Sequence, residues 1–275
     1  MIIKFLGSGS EFVKIKENYQ SNILISKSEI IDDNLSTKNL LINAGHHISE
    51  SMDYYGIDPL DIHAVFISCN LADRNGGLSY LSHLNYLHNQ NKSVLFANVS
   101  VMETLWENVL KGNIGNLNDA DKVNLSTYFN VKPIPPKKNF QFLNTVFTPI
   151  RLCHIIDKRD EIPSFGLKWV EDEIKFFFSG DCCFDFWRLM PFWEYAHVVF
   201  QDCEFTNDEK NTHCKFHQLC DIPEKYKKKM WLYNYSLQKN SIEQVEEKVL
   251  FHGFAGLVKK GQEFDTNLLK EYIKD

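Results

Sequence analysis

The chain alternates short apolar strand segments with amphipathic helical segments, and this order is present in both halves. In the first half the strand-like runs are rich in β-branched residues and end at polar residues or glycine; they read IIKF, NILIS, NLLI and AVFI. In the second half similar runs occur near FQFLNTVFTPI, FGLKWVE, IKFFF and HVVFQD, and helical stretches follow them. This order predicts a layered α/β protein.

Composition sets the size of the core and excludes several classes of protein. A chain of 275 residues, 44% of them hydrophobic, buries about three quarters of its unfolded surface, and we expect one domain over residues 1–275. No apolar run approaches the ~20 residues that span a bilayer, so we expect no membrane partner. The formal net charge of -6 argues against a broad nucleic-acid-binding face.

The cysteines and the first residues indicate the cellular compartment. The seven cysteines are scattered and contain no CxxC pair, which is typical of a reduced environment without a disulfide framework. The first residues, MIIKFLGSGSEF, lack the long apolar run and the cleavage pattern of a secretion signal. We therefore expect a cytoplasmic protein.

One loop carries most of the functional information, and it covers residues 67–78 (ISCNLADRNGGL). It follows the buried strand AVFI and precedes a helix predicted to begin near Gly76 and Gly77. Loops that leave the carboxyl ends of strands are where α/β folds place ligands. Other landmarks follow the expected strands in order: GSGS at residues 7–10, LINAG at 41–45, LCH at 152–154 with SFGL at 164–167, FSGD at 178–181 and FQDC at 200–203.

With these landmarks the sequence resembles the metallo-β-lactamase fold superfamily. Its C-terminal part, with IPEKYKKKMWLY followed by GFAGLVKKGQ, resembles the branch of ribonuclease Z and cyclic-nucleotide phosphodiesterases. The resemblance implies a four-layer αββα sandwich. It also implies a two-metal site, built around a T-H-x-H-x-D-H-x-G-G-L loop and completed by later His and Asp residues.

The metal ligands of that family are only partly present. Asp73, His154 and Asp181 match family ligands. The other expected positions carry replacements, which are Cys69, Leu71, Arg74 and Asn234. Leucine has no donor atom, and the guanidinium of arginine is a permanent cation. The resemblance therefore implies a degraded dinuclear site in which Leu71, Asp73, Arg74 and Asn234 line a vestigial pocket.

Two states of this pocket follow from the replacements. In one, Cys69, His154 and Asp181 form a residual one-metal site, since thiolate, imidazole and carboxylate all bind zinc; zinc or manganese would be the cofactor, and Asp73 the catalytic base. In the other, Arg74 pairs with Asp73 or Asp181 in the place of the second metal, and no cofactor is held.

Each candidate also has a purely structural interpretation. Asp73 suits a helix N-cap or a partner of Arg74, and Cys69 suits a small buried apolar residue. His154 suits a hydrogen-bonded histidine at a strand end. His213 matches the family pattern and is a binding candidate together with Arg74. Its structural interpretation is an ordinary surface pair with His217, which lies one helical turn away if that segment is helical.

Two functional hypotheses remain. The first is a non-catalytic binding or assembly subunit, which forms a homodimer or a heterodimer with an active paralogue. Its pocket would hold a phosphate or nucleotide through the charge of Arg74. The second is a metal-dependent, phosphodiesterase-like hydrolase that uses the residual site, with Asp73 as base. The metal content of the purified protein separates the two.

Overall fold

The computed structural model describes residues 1–14, 17–31, 34–88, 92–116, 123–156, 161–206, 212–237 and 240–273. The strands are β1 (Ile2–Phe5), β2 (Ile23–Ile31), β3 (Asn34–Ile42), β4 (Ile62–Ile67), β5 (Val94–Asn98), β6 (Asn130–Ile134), β7 (Phe140–Phe142), β8 (Thr145–Ile156), β9 (Glu161–Glu171), β10 (Ile174–Phe178), β11 (Val198–Asp202), β12 (Met230–Tyr233), β13 (Gly256–Leu257) and β14 (Glu263–Asp265).

The α-helices are α1 (Ile48–Tyr54), α2 (Ala72–Asn75), α3 (Leu78–Leu87), α4 (Val99–Thr104), α5 (Lys111–Ile114), α6 (Leu125–Tyr128), α7 (Phe186–Tyr195), α8 (Phe216–Cys220), α9 (Glu224–Lys227), α10 (Ile242–Phe251) and α11 (Thr266–Ile273). A 3₁₀ helix covers Pro59–Asp61, and a π-helix covers Leu105–Leu110 between α4 and α5. Among the described residues, no helix combines the length and the apolar character that crossing a bilayer requires.

The strands form two mixed sheets. The first has the order β14-β1-β2-β3-β4-β5-β6, and the second has the order β13-β12-β11-β10-β9-β8-β7. In each sheet one half is antiparallel and the other half is parallel. The inner parallel strands β4, β5, β10, β11 and β12 have no exposed residue, as expected of strands that are covered on both faces. The edge strand β6 exposes three of its five residues.

The two sheets pack face to face through aromatic side chains. Phe5 of β1 lies with its ring centroid 5.1 Å from that of Phe200 in β11, in an edge-to-face arrangement. Helices cover the outer faces: Ile48 of α1 belongs to the same core as Phe5, and Trp193 of α7 belongs to a second core outside β11. The αββα sandwich expected from the resemblance is confirmed.

The loop of residues 67–78 differs in detail from the prediction. A short helix, α2, begins at Ala72, before the predicted start near Gly76 and Gly77, and α3 follows at Leu78. Gly45 allows this loop to pack closely, because a Cβ atom there would overlap the carbonyl oxygen of Asp73. The motif loop is therefore held against the end of β3.

The fold brings four strand ends together. Cys69 follows β4, Asp181 follows β10, Asp202 ends β11 and Asn234 follows β12. In a sheet of parallel strands the carboxyl ends lie at one edge, and both sheets contribute such ends here. This edge carries the candidate site.

Candidate functional site

The centre of the site is an ion pair between Arg74 and Asp181. Arg74 Nε donates to Asp181 Oδ2 at 2.7 Å, and Arg74 Nη2 donates to Asp181 Oδ1 at 2.5 Å. Both side chains are only 1% exposed. This is the bidentate geometry in which a planar guanidinium matches a carboxylate. The predicted pairing of Arg74 with the acidic residues is confirmed.

The other donors of Arg74 are also satisfied. Nη2 donates to Asn234 Oδ1 at 2.8 Å, and Nη1 donates to the Asp73 carbonyl oxygen at 3.3 Å. Nη1 also lies 3.1 Å from Asp73 Oδ2. Of the five N–H groups of the guanidinium, four donate hydrogen bonds to Asp181, Asn234 and Asp73, and Nη1 also forms the ion pair with the Asp73 carboxylate.

The electrostatics follow from burial and from this cation. Burial alone would raise the pKa of Asp181, but the Arg74 guanidinium outweighs it and holds that pKa well below the ordinary carboxyl value. Burial raises the pKa of Asp73 to about 6, against the opposing effect of Arg74. The two carboxylates raise the pKa of Arg74 further, although burial acts in the other direction. Arg74 and Asp181 are therefore charged at neutral pH.

A second cluster adjoins the first through the amide of Asn234. Asn234 Nδ2 donates to Asp181 Oδ1 at 3.1 Å and to Asp202 Oδ1 at 2.8 Å, so both of its hydrogens are used. The other oxygen of Asp202 accepts from the Cys182 backbone N–H at 3.0 Å and from His213 Nδ1 at 2.8 Å. Asn234 adopts a left-handed backbone with φ of 67°, which asparagine tolerates better than most residues.

His213 is the second cation of the site. Burial lowers its pKa, but the contact with Asp202 reverses the effect and raises the pKa to about 9. His213 lies in the loop before α8, whose first residue is Phe216. The segment is therefore not helical at His213, and the interpretation of His213 as part of an ordinary surface pair with His217 is wrong, because His213 is paired with the buried Asp202.

Cys69 is a neutral thiol in this structure. Its side chain is fully buried, and Sγ donates to Asp181 Oδ2 at 3.6 Å. Burial, together with the charge of Asp181, raises the pKa of the thiol well above its ordinary value. A metal would need the thiolate, so the environment of Cys69 disfavours the form that binds metal.

His154 and Asp73 line a pocket beside the ion-pair centre. This pocket has a volume of about 260 Å³, and its lining comprises Glu11, Leu71, Ala72, Asp73, His154, Ile155, Thr212 and His213. His154 is buried, donates from Nδ1 to the Thr212 carbonyl oxygen at 2.6 Å, and has its ring centroid 4.9 Å from that of His213. Asp73 lies inside α2, whose N-cap is Leu71, so the N-cap interpretation of Asp73 is wrong.

Few side-chain ligand atoms of this site remain available to bind a metal ion. Asp181, Asp202 and His213 bring one candidate ligand atom each within 4.8 Å of the others, the one such group among the described residues. However, Arg74 holds both oxygens of Asp181, and Asn234, His213 and a backbone N–H hold those of Asp202. Leu71 offers no donor. The residues present do not fit a two-metal centre.

Sequence reasoning identified most of this site and missed one member. Cys69, Asp73, Arg74, Asp181 and Asn234 come together as predicted from the strand ends. Asp202 was not among the candidate ligands, although it ends a strand in the landmark FQDC. Its place as the last residue of β11 is the signal that could have found it.

Comparisons with known proteins agree with this architecture. A metallo-β-lactamase fold protein from Bacillus subtilis, YhfI, aligns with a TM-score of 0.69 over 96% of this chain and 98% of its own, at 13% identity. The short form of human tRNase Z aligns with a TM-score of 0.65 over 96% and 99%, at 14% identity. These likenesses show the metallo-β-lactamase fold.

Sequence relatives give the narrower family. An Anti-Pycsar protein Apyc1 from Paenibacillus harenae is 29% identical over 240 residues, which are 86% of this chain and 90% of the relative. A protein of the same name from Bacillus phage BSP38 is 25% identical over 245 residues, or 85% and 88%. The family model for Anti-Pycsar protein Apyc1 matches residues 1–264. The chain belongs to the Anti-Pycsar protein Apyc1 family.

Proposed function

We propose that this chain is a non-catalytic member of its family, a binding or assembly subunit in which Arg74 replaces the metal centre. The observation that carries the proposal is the bidentate pair of Arg74 with Asp181, in which Asn234 and Asp73 contact the remaining nitrogens of the guanidinium. A buried cation that is satisfied in this way is stable only while its carboxylate partners stay in place.

Phosphodiester hydrolysis in this fold depends on metal ions that activate water and neutralise the phosphate. A permanent cation bonded to Asp181 opposes a divalent ion at the same carboxylate through charge repulsion. Leu71 and Asn234 also stand where the resemblance to the metallo-β-lactamase fold superfamily implies imidazoles. Without a bound metal ion, the site cannot activate a water molecule as a phosphodiesterase does.

The charges of the centre also argue against Arg74 as the group that holds a phosphate. Arg74 and His213 are each paired with a buried carboxylate, from Asp181 and Asp202 respectively, and Asp73 adds a further acid. A phosphate that reached Arg74 would have to displace one of these acceptors. A ligand of the non-catalytic subunit is therefore expected outside this ion-pair network.

The alternative is a one-metal hydrolase, and one observation favours it: the ligand atoms of Asp181, Asp202 and His213 lie within 4.8 Å of one another. In that reading Arg74 would have to leave Asp181. The trio predicted from the sequence, Cys69, His154 and Asp181, is not supported, because among the described residues its ligand atoms do not all lie within 4.8 Å of one another.

The test combines metal content with turnover. The protein is purified without added metal, its zinc and manganese are measured, and hydrolysis of bis-p-nitrophenyl phosphate and of 3′,5′-cyclic nucleotides is assayed with each metal added. We expect far less than one equivalent of metal and no metal-dependent turnover. Turnover that requires added metal and disappears in both Asp181→Ala and His154→Ala would establish the hydrolase instead.

The assembly role includes a partner of the same fold, either a second copy or an active paralogue. The resemblance to a branch whose members dimerise supports this part of the proposal. Sedimentation velocity of the protein alone, and mixed with an active family member, tests it. A monomer in both samples would contradict the assembly role and leave the metal prediction unaffected.

A further inference from the structure

The pocket beside the ion-pair centre has charges that suit a cation better than an anion. Its lining includes the carboxylates of Glu11 and Asp73, and in the described part of the chain His213 is the one cation of the lining. That imidazolium is already paired with the buried Asp202, at 2.8 Å. With the adjoining centre included, four acids stand against two cations; they are Glu11, Asp73, Asp181 and Asp202 against Arg74 and His213.

His154 gives this pocket a buried acceptor that the protein leaves unused. The side chain lines the pocket, is only 1% exposed, and donates from Nδ1 to the Thr212 carbonyl oxygen at 2.6 Å. A neutral imidazole has one N–H, so Nε2 is an acceptor, and none of the described residues donates to it. Buried polar atoms normally have a partner, so this nitrogen indicates a ligand that brings a donor.

The two carboxylates also keep one oxygen each for a ligand. Asp73 Oδ2 lies 3.1 Å from Arg74 Nη1, and Glu11 Oε1 lies 3.5 Å from His46 Nε2. Within the described ranges, no donor bonds to the second oxygens, Asp73 Oδ1 and Glu11 Oε2. A ligand that brings N–H donors can therefore bind here without displacing any contact of Arg74, whereas an anion would have to displace one.

The spacing of these acceptors excludes a single metal ion and favours a wider cation. The ligand atoms of Glu11, Asp73 and His154 do not all lie within 4.8 Å of one another, as far as the described residues show. The ligands of one metal ion each lie only about 2 Å from it. A guanidinium carries five N–H donors on a planar, rigid fork, so it reaches acceptors that are spaced further apart.

The rest of the lining suits a short alkyl stem. Leu71, Ala72 and Ile155 give the pocket an apolar side. Its volume of about 260 Å³ is below the ~300 Å³ at which sites for drug-sized ligands begin. The pocket therefore fits a small molecule with one cationic head.

We propose that this pocket binds a small alkylguanidinium compound, with the guanidinium on Glu11, Asp73 and His154 and the alkyl stem on Leu71 and Ile155. The inference rests on the proposed non-catalytic role, because a metal ion at Asp181 would draw an anion to this side of the centre instead. It names the ligand class that the charges of the binding subunit select.

Nuclear magnetic resonance titration of the chelator-treated protein tests this site, with backbone amide shifts as the readout. The probes are N-butylguanidinium, n-butylammonium and 1-butanol, which share the stem and differ in the head group. We expect butylguanidinium to bind most tightly, butylammonium more weakly, and butanol not at all. The shifted signals should come from residues of this pocket.

Three variants check the acids of the pocket. Glu11→Gln should weaken binding of butylguanidinium about 10-fold, since it removes a charge-assisted contact. Glu17→Gln, an exposed glutamate that pairs with Lys14 outside the pocket, is the matched control and should bind like the wild type. Ala72 is exposed at the start of α2, so Ala72→Lys should fold, place its own cation in the pocket and abolish binding. Ala72→Gln, of similar length without charge, should lose less.

Several outcomes would overturn the proposal. One is the absence of any shift with butylguanidinium at tens of millimolar; another is butanol bound as tightly, which would mean apolar filling alone. Equal affinity in the wild type and Glu11→Gln, or an equal loss in Glu17→Gln, would also refute it. Each of these results, with no metal-dependent turnover, leaves the proposed non-catalytic role standing. Metal-dependent turnover would overturn that role itself, whatever the organic cations do.

Discussion

Removal of the Arg74 guanidinium is the sharpest perturbation of this fold. In Arg74→Met an unbranched side chain of similar length replaces the arginine, so the loss of packing is small. The Asp181 carboxylate, only 1% exposed, then loses its bidentate partner and keeps the amide of Asn234. Breaking a buried pair from one side costs about 3–5 kcal/mol, and we expect the free energy of unfolding to fall by that amount at pH 7.5.

The loss of unfolding free energy in Arg74→Met should depend on pH, and this dependence sets an independent upper limit on the loss. In the variant, the Asp181 carboxylate can be neutralised by protonation. For a group with an ordinary pKa near 3.9, protonation costs up to about 5 kcal/mol at pH 7.5 but only about 1.5 kcal/mol at pH 5. Without Arg74 the folded-state pKa of Asp181 rises above its unfolded value, so the variant loses stability as the pH increases. The difference from wild type should therefore shrink by about 3 kcal/mol between pH 7.5 and pH 5.

Urea unfolding followed by circular dichroism at both pH values measures this difference, and thermal unfolding should show a drop of about 6–20 °C at pH 7.5. The double variant Arg74→Met with Asp181→Asn should recover a large part of the loss. The exposed Arg188→Met should stay within about 0.5 kcal/mol of wild type. A loss under about 1 kcal/mol for Arg74→Met, equal at the two pH values, would refute the ion-pair account.

Three further predictions concern single groups of the site. Asp202 raises the pKa of His213 to about 9, so the charged imidazole stabilises the fold below pH 6.5, and this contribution is lost as the pH rises through about 9. We expect the free energy of unfolding to fall by up to about 3 kcal/mol between pH 6 and pH 10 for this reason. Urea unfolding measures the change, which should be absent in His213→Gln. Cys69, as a buried neutral thiol, should resist iodoacetamide at pH 8 in the folded protein, and rapid labelling seen by mass spectrometry would contradict this. Arg74→His alone should not bind zinc, because the three other replaced positions still lack imidazoles. Calorimetry should detect zinc binding once all the replaced positions are histidine together. Those positions are Cys69, Leu71, Arg74 and Asn234.

The architecture could be predicted because its signals are local. Apolar runs such as AVFI, followed by a polar loop and a helix, fix both the strand and the place where functional groups gather. The pairing of Arg74 was also predictable, because a permanent cation that is buried near acids such as Asp73 and Asp181 requires a carboxylate partner. These predictions needed no knowledge of distances.

The rest of the site depends on strands that are far apart in sequence. Asn234 bridges Asp181 and Asp202 only because β10, β11 and β12 lie side by side in parallel. The cationic state of His213 likewise depends on its 2.8 Å contact with Asp202, which the segment around residue 213 does not encode. Local sequence patterns therefore predict which side chains belong to the site, whereas the hydrogen bonds that connect them depend on the tertiary structure.

The most direct test of the central claim is anomalous scattering from crystals grown with zinc or manganese, with data collected at each metal edge. We predict no anomalous peak near Asp181, Asp202 and His213, and electron density for the Arg74 guanidinium in bidentate contact with Asp181. A metal peak within coordination distance of Asp181, with Arg74 displaced from it, would contradict the account.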